Sequence, residues 1–579
     1  MKIFIQDTPE HGLSSWLEFR EPDNIVCAYS SSEIKPMLTD LAKAVERGQY
    51  IAGFMAYEGA QGLDLAAKVH NLVSWPLACF GIFNTAIRHQ TLPGPQAPFP
   101  DALHWKPAVD KSTYCSRIDK IRSYLKAGDT YQVNYTFPMT AGIETKADYW
   151  AMFVALQETQ QGQYGAFFEM DDHLLMSCSP ELFFRLEANR LVSKPMKGTA
   201  SRGQNRQDDE TLKQDLHHST KNRSENVMIV DMIRNDMGRI AVPGTVKVDK
   251  QFEVETYPTI HQMTSTVSCT TQADLDQIFE AMFPCASITG APKLRSMEII
   301  HETEGRARGV YTGTIGYMSP DQTAQFNVAI RTISHVKTSS QYHYGVGSGI
   351  VWDSDTKDEY AECLNKSKVL ESINPEFCLL ETILWEPETG FFLLDHHLER
   401  ILESAMAFGF EITRSTLTKS LHRAASDFKG TSKVRLLLSP NGSVRIESSP
   451  APAATTFKVC LDSQASNTHS LFCIHKTTRR HLYDQARSRH PEYDDVILWN
   501  RAGELTETSF FNLVLNIDGE LFTPCLSSGL LAGTYRKEML LTGRITEKKL
   551  KKEDLDRASE VFLINSVRKW IKADIQACL

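Results

Sequence analysis

Apolar positions fall in short runs along the first part of the chain. Residues 182–186, 308–318 and 342–351 each read as strands, and longer amphipathic stretches between them read as helices. The stretch 358–373 predicts a helix that stops at Asn374 and Pro375, because the residue before a proline is pushed out of helical geometry. A different rhythm begins there. Residues 377–385 predict a strand, 388–390 a turn and 391–394 a returning strand, so a hairpin opens a second domain. The small and polar stretch 448–456 predicts a link between two lobes of that domain. The expected division is 1–372, a connection at 373–376, and 377–579. The pattern contains neither an internal repeat nor a long low-complexity tract.

Composition narrows the class. A chain of 579 residues is too long for one core and suggests two to four domains. Hydrophobic residues at 42% and charged residues at 23% are an ordinary globular mixture. The net charge of -9 is mild and the basic residues are scattered, so no nucleic-acid partner is expected. The basic run 548–552 reads as a solvated helix face. No window approaches about eighteen consecutive apolar residues, and residues 1–7 lack the basic start of a secretory signal, so no membrane span and a cytoplasmic setting are expected. The twelve cysteines are spread singly without a CxxC pair, which predicts reduced thiols rather than a zinc cluster or a disulfide framework.

Two segments carry candidate chemistry. In DEYAECLNKSK, Glu359, Glu362 and Lys366 fall on one helical face. A second acidic helix begins at Glu225. Carboxylates from separate helices suit magnesium, which takes hard oxygen ligands, although a solvated acidic face has the same spacing. The glycine-rich run 345–355 would let backbone N–H groups approach an anion. It is neither a P-loop nor a dinucleotide fingerprint, and a tight turn remains open as an alternative.

These segments belong to an ordered set: GDTYQVN (128–134), SPELF (179–183), PMKGT (195–199), ENVMIVDMIRND (225–236), HQMTSTV (261–267), FPCASITGAPKLRSMEII (283–300), RGVYTGTIGY (308–317) and AIRT (329–332). The set resembles the chorismate-utilising enzymes, which include the anthranilate, aminodeoxychorismate, isochorismate and salicylate synthases. The resemblance implies magnesium on Glu225 and Glu362 with Glu359 close by, binding the ring carboxylate of chorismate. It implies Tyr311, Arg331 and the backbone of Gly349 on the other carboxylate, with Thr199, Gly347 and Lys366 also lining the substrate site and His261 beside the reacting ring. Gln132 stands where isochorismate and salicylate synthases carry a water-activating lysine. Lys197 stands where anthranilate synthases usually carry alanine and aminodeoxychorismate synthases carry lysine. Lys197 is then the expected nucleophile and Glu181 its general acid. No cysteine sits in a GxCxG elbow, so a separate glutamine amidotransferase is the implied ammonia source.

The second half has its own constellation. LFCIHKTTRRHLYDQAR places Lys476 after an apolar strand and before a polar helix start, and Glu507 lies between two apolar stretches. GLLAGTYRKEML reads as a glycine-containing turn into a helix, whose free N–H groups suit a phosphate. DHHLERI puts His397 and Arg400 at helical spacing. Together these resemble the fold-type-IV pyridoxal-phosphate enzymes. The resemblance implies that Lys476 links covalently to the cofactor, Glu507 keeps its pyridine nitrogen protonated, and Arg400, Gly533, Thr534, Asn565 and Ser566 hold its phosphate. It also admits a homodimer through this domain. The expected fold is α+β: a chorismate-binding domain like anthranilate synthase component I, followed by a two-lobed fold-type-IV domain. The expected function is synthesis of aminodeoxychorismate and its cleavage to 4-aminobenzoate, a step into folate. Two alternatives stay open: an anthranilate synthase fused to a class IV aminotransferase, or a second half that is a non-catalytic scaffold.

Overall fold

The computed structural model describes the chain except residues 11–12, 95–102, 144–147, 161, 204–205, 258–259, 368–369, 371–376, 454–455, 467–470 and 576–579. Two compact units form: Met1–Gly203 with Gln207–Pro375 make the first, and the second is built on Glu376–Leu579. The expected connection at 373–376 lies outside the described residues.

Among the described residues the first unit contains two ten-stranded sheets, antiparallel throughout. The strand Tyr50–Met55 shows how they stack. Ala52 and Phe54 point into a core shared with Ile3, Phe168 and Leu175 of the other sheet. Ile51 and Met55 point the other way, into a core formed with the helices Ser31–Glu46, Thr220–Gly238 and Leu275–Met282. Period-two alternation therefore sets one face of each sheet against its twin and the other under helices. The far face is covered by Lys111–Ala127, Tyr149–Gln160 and Thr356–Ser367 through Tyr114, Phe153 and Cys363.

Several expectations are corrected here. The strand expected over 342–351 does form, carrying Gly345, Gly347 and Gly349 inside Gln341–Ile350, paired over ten residues with Gln132–Gly142, and the alternative of a tight turn falls away. Of 308–318, only Thr314–Met318 is strand; the residues before it fold into a tight turn, with Thr312 at φ 64°. Glu225 sits in the second turn of a helix that already begins at Thr220, capped by Ser219. The helix expected from 358 starts at Thr356 and is described as far as Ser367. Cys27 and Cys79 face each other in register on neighbouring strands and form a disulfide, against the expectation of unpaired thiols. Strand register brought them together across 52 residues of sequence, which spacing alone does not reveal.

The second unit has two lobes. The smaller is a four-stranded antiparallel sheet around Leu379–Glu386 and Ser432–Leu438, packed through Ile383, Val434, Leu398 and Leu417 against the helices Leu394–Phe408 and Arg414–Ala425. The expected hairpin is cut short after Gly390–Phe391, because Leu394, Leu398 and Ile401 at helical spacing win over strand propensity. The larger lobe is an eight-stranded mixed sheet in which Leu505–Thr508 also pairs with Asn512–Ile517, so the sheet curls into a closed ring. The stretch expected to link the lobes gives its first part to the strand Val444–Pro450. Lys476 follows a short helix, Leu471–Ile474, rather than a strand. The basic run at 548–552 is a strand end and turn, not a helix face, with Lys548 and Lys552 lying 4.3 and 3.9 Å from the rings of Phe522 and Trp499. Among the described residues no helix is long and apolar enough to cross a membrane.

Candidate active sites

In the first unit the site grows from a bare strip of backbone. Gly345, Gly347 and Gly349 alternate along one strand and so share one face. Other groups fill the space their side chains would take. A Cβ on Gly345 would lie 2.2 Å from Cγ of Tyr311, one on Gly347 2.7 Å from Cγ2 of Thr136, and one on Gly349 2.5 Å from Nε2 of Gln132 and 3.0 Å from Nζ of Lys197. Lys197 comes in on the neighbouring sheet, on the strand Met196–Ser201. Burial pushes its amine pKa down and Lys366 adds to this, while Glu225, Glu181 and Glu362 oppose it. Burial likewise pushes the Glu181 carboxyl up to about 7 against the pull of Ser287 and Lys197. Its Oε1 is buried without a hydrogen-bond partner, as are both amide atoms of Gln132.

Glu225 and Glu362 lie near this amine, and Glu359 lies near Glu225. Burial raises the pKa of Glu225, and repulsion from Glu359 and Glu362 adds to it against the nearby Lys197 and Lys221. Burial would also raise Glu362, but Lys366 at 2.8 Å holds it below the usual range. Lys366 donates in addition to the carbonyl of Gly347 at 2.9 Å, and Glu359 accepts from Ser348. Among the described residues no three such groups lie close enough to hold a metal as they stand. The donor set nevertheless fits a hard dication, which would relieve the repulsion among the three acids.

Tyr311 is carried on the turn before Thr314–Met318. Glu58 accepts both turn amides, from Arg308 at 2.7 Å and Gly309 at 3.0 Å. Arg308 binds Glu304 at 2.7 Å and the carbonyls of Asn134 and Ile288 at 2.6 and 2.9 Å. Arg331 sits at φ 49°, its charge felt by Tyr344 and Cys178; among the described residues no carboxylate pairs with it. Thr199 is exposed and donates to Gln262 at 2.9 Å. His261 is held between Asp209 at 2.9 Å and Thr256 at 3.0 Å, in a network that continues to Arg202. Glu58 and Asp209 escaped the sequence reading. A lone acid in the apolar run before Glu58 was the available signal; Asp209, in a polar helix, had none.

In the second unit a cavity of about 440 Å³ is lined by Lys476, Glu507, Arg400, Gly533, Thr534, Asn565 and Ser566 among others. The backbone of Lys476 is pinned by the amide of Leu380, which donates to its carbonyl at 2.9 Å. Burial, aided by Arg400 and Arg480, pushes its amine down to about 8. Burial pushes Glu507 up to about 7, although Tyr483 donates to it at 2.7 Å and the Leu531 amide at 3.0 Å. Arg400 is oriented by Glu381, which accepts from Nε and Nη2 at 2.8 and 2.7 Å, and by the Ala532 carbonyl at 3.0 Å, so two of its five N–H groups remain for a ligand. Burial works against the charge on Glu381, but Arg400 and His397 hold its pKa at about 2. Gly533 caps the helix Thr534–Leu541; a Cβ there would fall 1.8 Å from Oδ1 of Asn512. Asn565 Oδ1 accepts the amides of Val567 and Arg568 at 3.0 and 2.8 Å, and Ser566 donates to the Thr382 carbonyl at 3.1 Å. A buried lysine, a buried acid and an oriented arginine around one cavity fit pyridoxal phosphate.

The fold and both sites define a chorismate-handling protein with a pyridoxal-phosphate domain behind it. Residues 14–372 match the family model for chorismate binding enzymes and residues 378–574 that for class IV aminotransferases; the chain belongs to the chorismate binding enzyme family. The class IV domain implies pyridoxal phosphate. The chain is 38% identical over 273 residues to aminodeoxychorismate synthase component 1 of Salmonella typhimurium, covering 47% of this chain and 59% of that protein. It is 35% identical over 282 residues to the Escherichia coli K12 protein of the same name, covering 48% and 61%. It thus spans about three fifths of the length of these curated relatives. The solved structure of anthranilate synthase component I from Streptococcus pneumoniae shares its fold, with TM-score 0.52 and 22% identity over 64% of this chain and 92% of that one.

Proposed function

We propose that the chain makes 4-aminobenzoate from chorismate and ammonia, one step in each unit. The observation that carries this reading is the pair Lys197 and Glu181, an amine and a carboxyl that burial drives toward their neutral forms. A neutral Lys197 attacks ring carbon C2, both ring double bonds shift by one position, and the C4 hydroxyl leaves as water with the proton of Glu181. Ammonia then bonds to C4, both double bonds shift back, and Lys197 departs as the free amine. The proton shed by the ammonia returns to Glu181, so the net change is hydroxyl for amine. Gln132 cannot take a proton from water, which supports addition of ammonia instead.

Magnesium, when bound, neutralises the ring carboxylate of the substrate. Glu225, Glu359 and Glu362 would hold it, Glu362 turning from Lys366. Tyr311, Arg331 and the Gly349 amide would hold the second carboxylate; the absence of an acid partner for Arg331 among the described residues supports this. Thr199 and Gly347 would line the same site, with His261 beside the ring. A separate glutamine amidotransferase would supply the ammonia, and a cytoplasmic setting is part of this reading.

In the second unit Lys476 would hold pyridoxal phosphate, Glu507 its ring nitrogen, and Arg400, Gly533, Thr534, Asn565 and Ser566 its phosphate. That group, when bound, captures the substrate amine and takes up the electron pair freed at the neighbouring carbon. Lys476 removes the C4 proton, the bond between ring C3 and the enolpyruvyl oxygen breaks, and the ring becomes aromatic as the enolpyruvate takes up that proton and is released as pyruvate. The test is a product assay with chorismate, magnesium, ammonia and pyridoxal phosphate. 4-Aminobenzoate and pyruvate in equal amounts are expected; anthranilate would overturn the role of Lys197, and aminodeoxychorismate accumulating alone would overturn the role of the second unit.

A further inference from the structure

The cavity of the second unit holds more positive charge than the cofactor uses. Besides Lys476 and Arg400 it is lined by Lys433, Arg435, Arg479, Arg480 and Arg568, and among the described lining residues Glu507 is the sole carboxylate. A phosphate monoester brings at most about two negative charges, and Arg400 with the helix start at Gly533 can meet them. Arg435 is already met by Glu447, but Lys433, Arg480 and Arg568 have no carboxylate partner among the described residues, and they repel one another in a confined space unless a further anion joins them.

Their placement tells what kind of anion. Lys433 and Arg435 are two apart on Ser432–Leu438 and so face the cavity together; Arg435 also pairs with Glu447 at 3.0 Å. Arg480 stands at the start of the helix His481–Arg489, its guanidinium 4.9 Å from the rings of both Tyr483 and Phe510, and its charge is felt by Lys476 and Glu507. Arg568 follows the Asn565–Ser566 turn. Its guanidinium lies 4.9 Å from the ring of Phe457 and 5.9 Å from that of Phe511, and its Nε is buried without a hydrogen-bond partner. A guanidinium laid on an aromatic ring is held flat; Arg480 gives one Nη2 N–H to the Ser509 carbonyl, and the remaining N–H groups of both arginines suit a planar carboxylate.

We propose that this cationic wall selects a substrate with two carboxylates over the single carboxylate of an ordinary amino acid, with Arg480 and Arg568 as the forks that grip them. This rests on the two-step reading above, in which the substrate carries one carboxylate on the ring and one on the enolpyruvyl arm.

The test titrates the full-length chain, loaded with pyridoxal phosphate, with isophthalate and separately with benzoate. The cofactor's visible absorbance reports this cavity and not the first unit. Isophthalate should half-saturate at a concentration about tenfold lower, the effect of one additional charge-assisted contact. Arg480→Gln and Arg568→Gln should each bring the ratio toward one while the cofactor absorbance persists. Equal half-saturation in the unaltered chain, no response to isophthalate, or a ratio unchanged in both variants would overturn the proposal. Should a variant lose its cofactor, the unaltered chain decides: the preference must shrink as salt is raised, and a salt-independent ratio overturns it. None of these readouts needs turnover, so they fail independently of the lyase reading, which fails when no 4-aminobenzoate forms.

Discussion

At the scale of single residues, the proposed amination depends on two groups kept uncharged. Lys197 must lose its proton to attack, and burial moves that loss to lower pH. Glu181 must keep its proton to release the hydroxyl, and burial moves its pKa up to about 7. Chorismate consumption should therefore rise with pH as Lys197 is freed and fall at higher pH as Glu181 ionises, the two limbs belonging to the pair because the groups interact. Glu181→Gln should remove the falling limb and slow the step by about 10² to 10³; a falling limb that survives in a pH–rate profile would assign it to another group. Lys197→Ala should abolish amination while leaving cleavage of supplied aminodeoxychorismate intact, and parallel loss of both would refute separate sites. Both residues were legible because motifs flank them. Glu381 was not named, although an acid inside the apolar run LLETILW is a signal in itself: a buried carboxylate there must have a cationic partner, and it has Arg400.

At the scale of elements, the strand over 342–351 was legible in the pattern, but not what lies against its glycines. A glycine-rich run reads as a turn when only φ freedom is considered. Here the same absence of side chains lets a strand lie flush against Tyr311, Gln132 and Lys197. Gly349→Ala should keep the fold, since its strand remains paired, yet slow amination about a hundredfold by displacing the lysine; near-normal turnover with an unchanged melting curve would show that Lys197 yields to the methyl. The turn that carries Tyr311 reads as strand because it runs straight into the strand Thr314–Met318. What shapes it is distant in sequence: Glu58, with both oxygens on the turn amides. Glu58→Ala would leave two buried N–H groups without an acceptor and should cost about 2–4 kcal/mol in denaturant unfolding. Glu58→Gln, which keeps one acceptor, should lose less.

At the scale of the whole molecule, two units with different chemical needs share one chain. The pattern changes after Pro375, and the two families were legible because each has an ordered set of motifs. The smaller lobe's helical start at Leu394 was not, because Leu379–Glu386 pairs with its neighbour only through Gly390–Phe391 and takes its long pairing from Ser432–Leu438, far along the chain. Separate needs allow the steps to be uncoupled without mutation. The three glutamates of the first unit repel one another, and a chelator that strips magnesium should restore that repulsion against the substrate's ring carboxylate. Amination should then stop while supplied aminodeoxychorismate is still cleaved. Removing pyridoxal phosphate should do the opposite: chorismate is still consumed, and aminodeoxychorismate accumulates in place of 4-aminobenzoate. Reloading of the cofactor-free chain, followed by absorbance, should accelerate as pH rises through about 8, because only the neutral Lys476 amine can react with an aldehyde. A chelator that stopped both steps would place the metal's influence beyond the first unit, and cofactor removal that stopped chorismate consumption would mean the first step depends on an intact second unit.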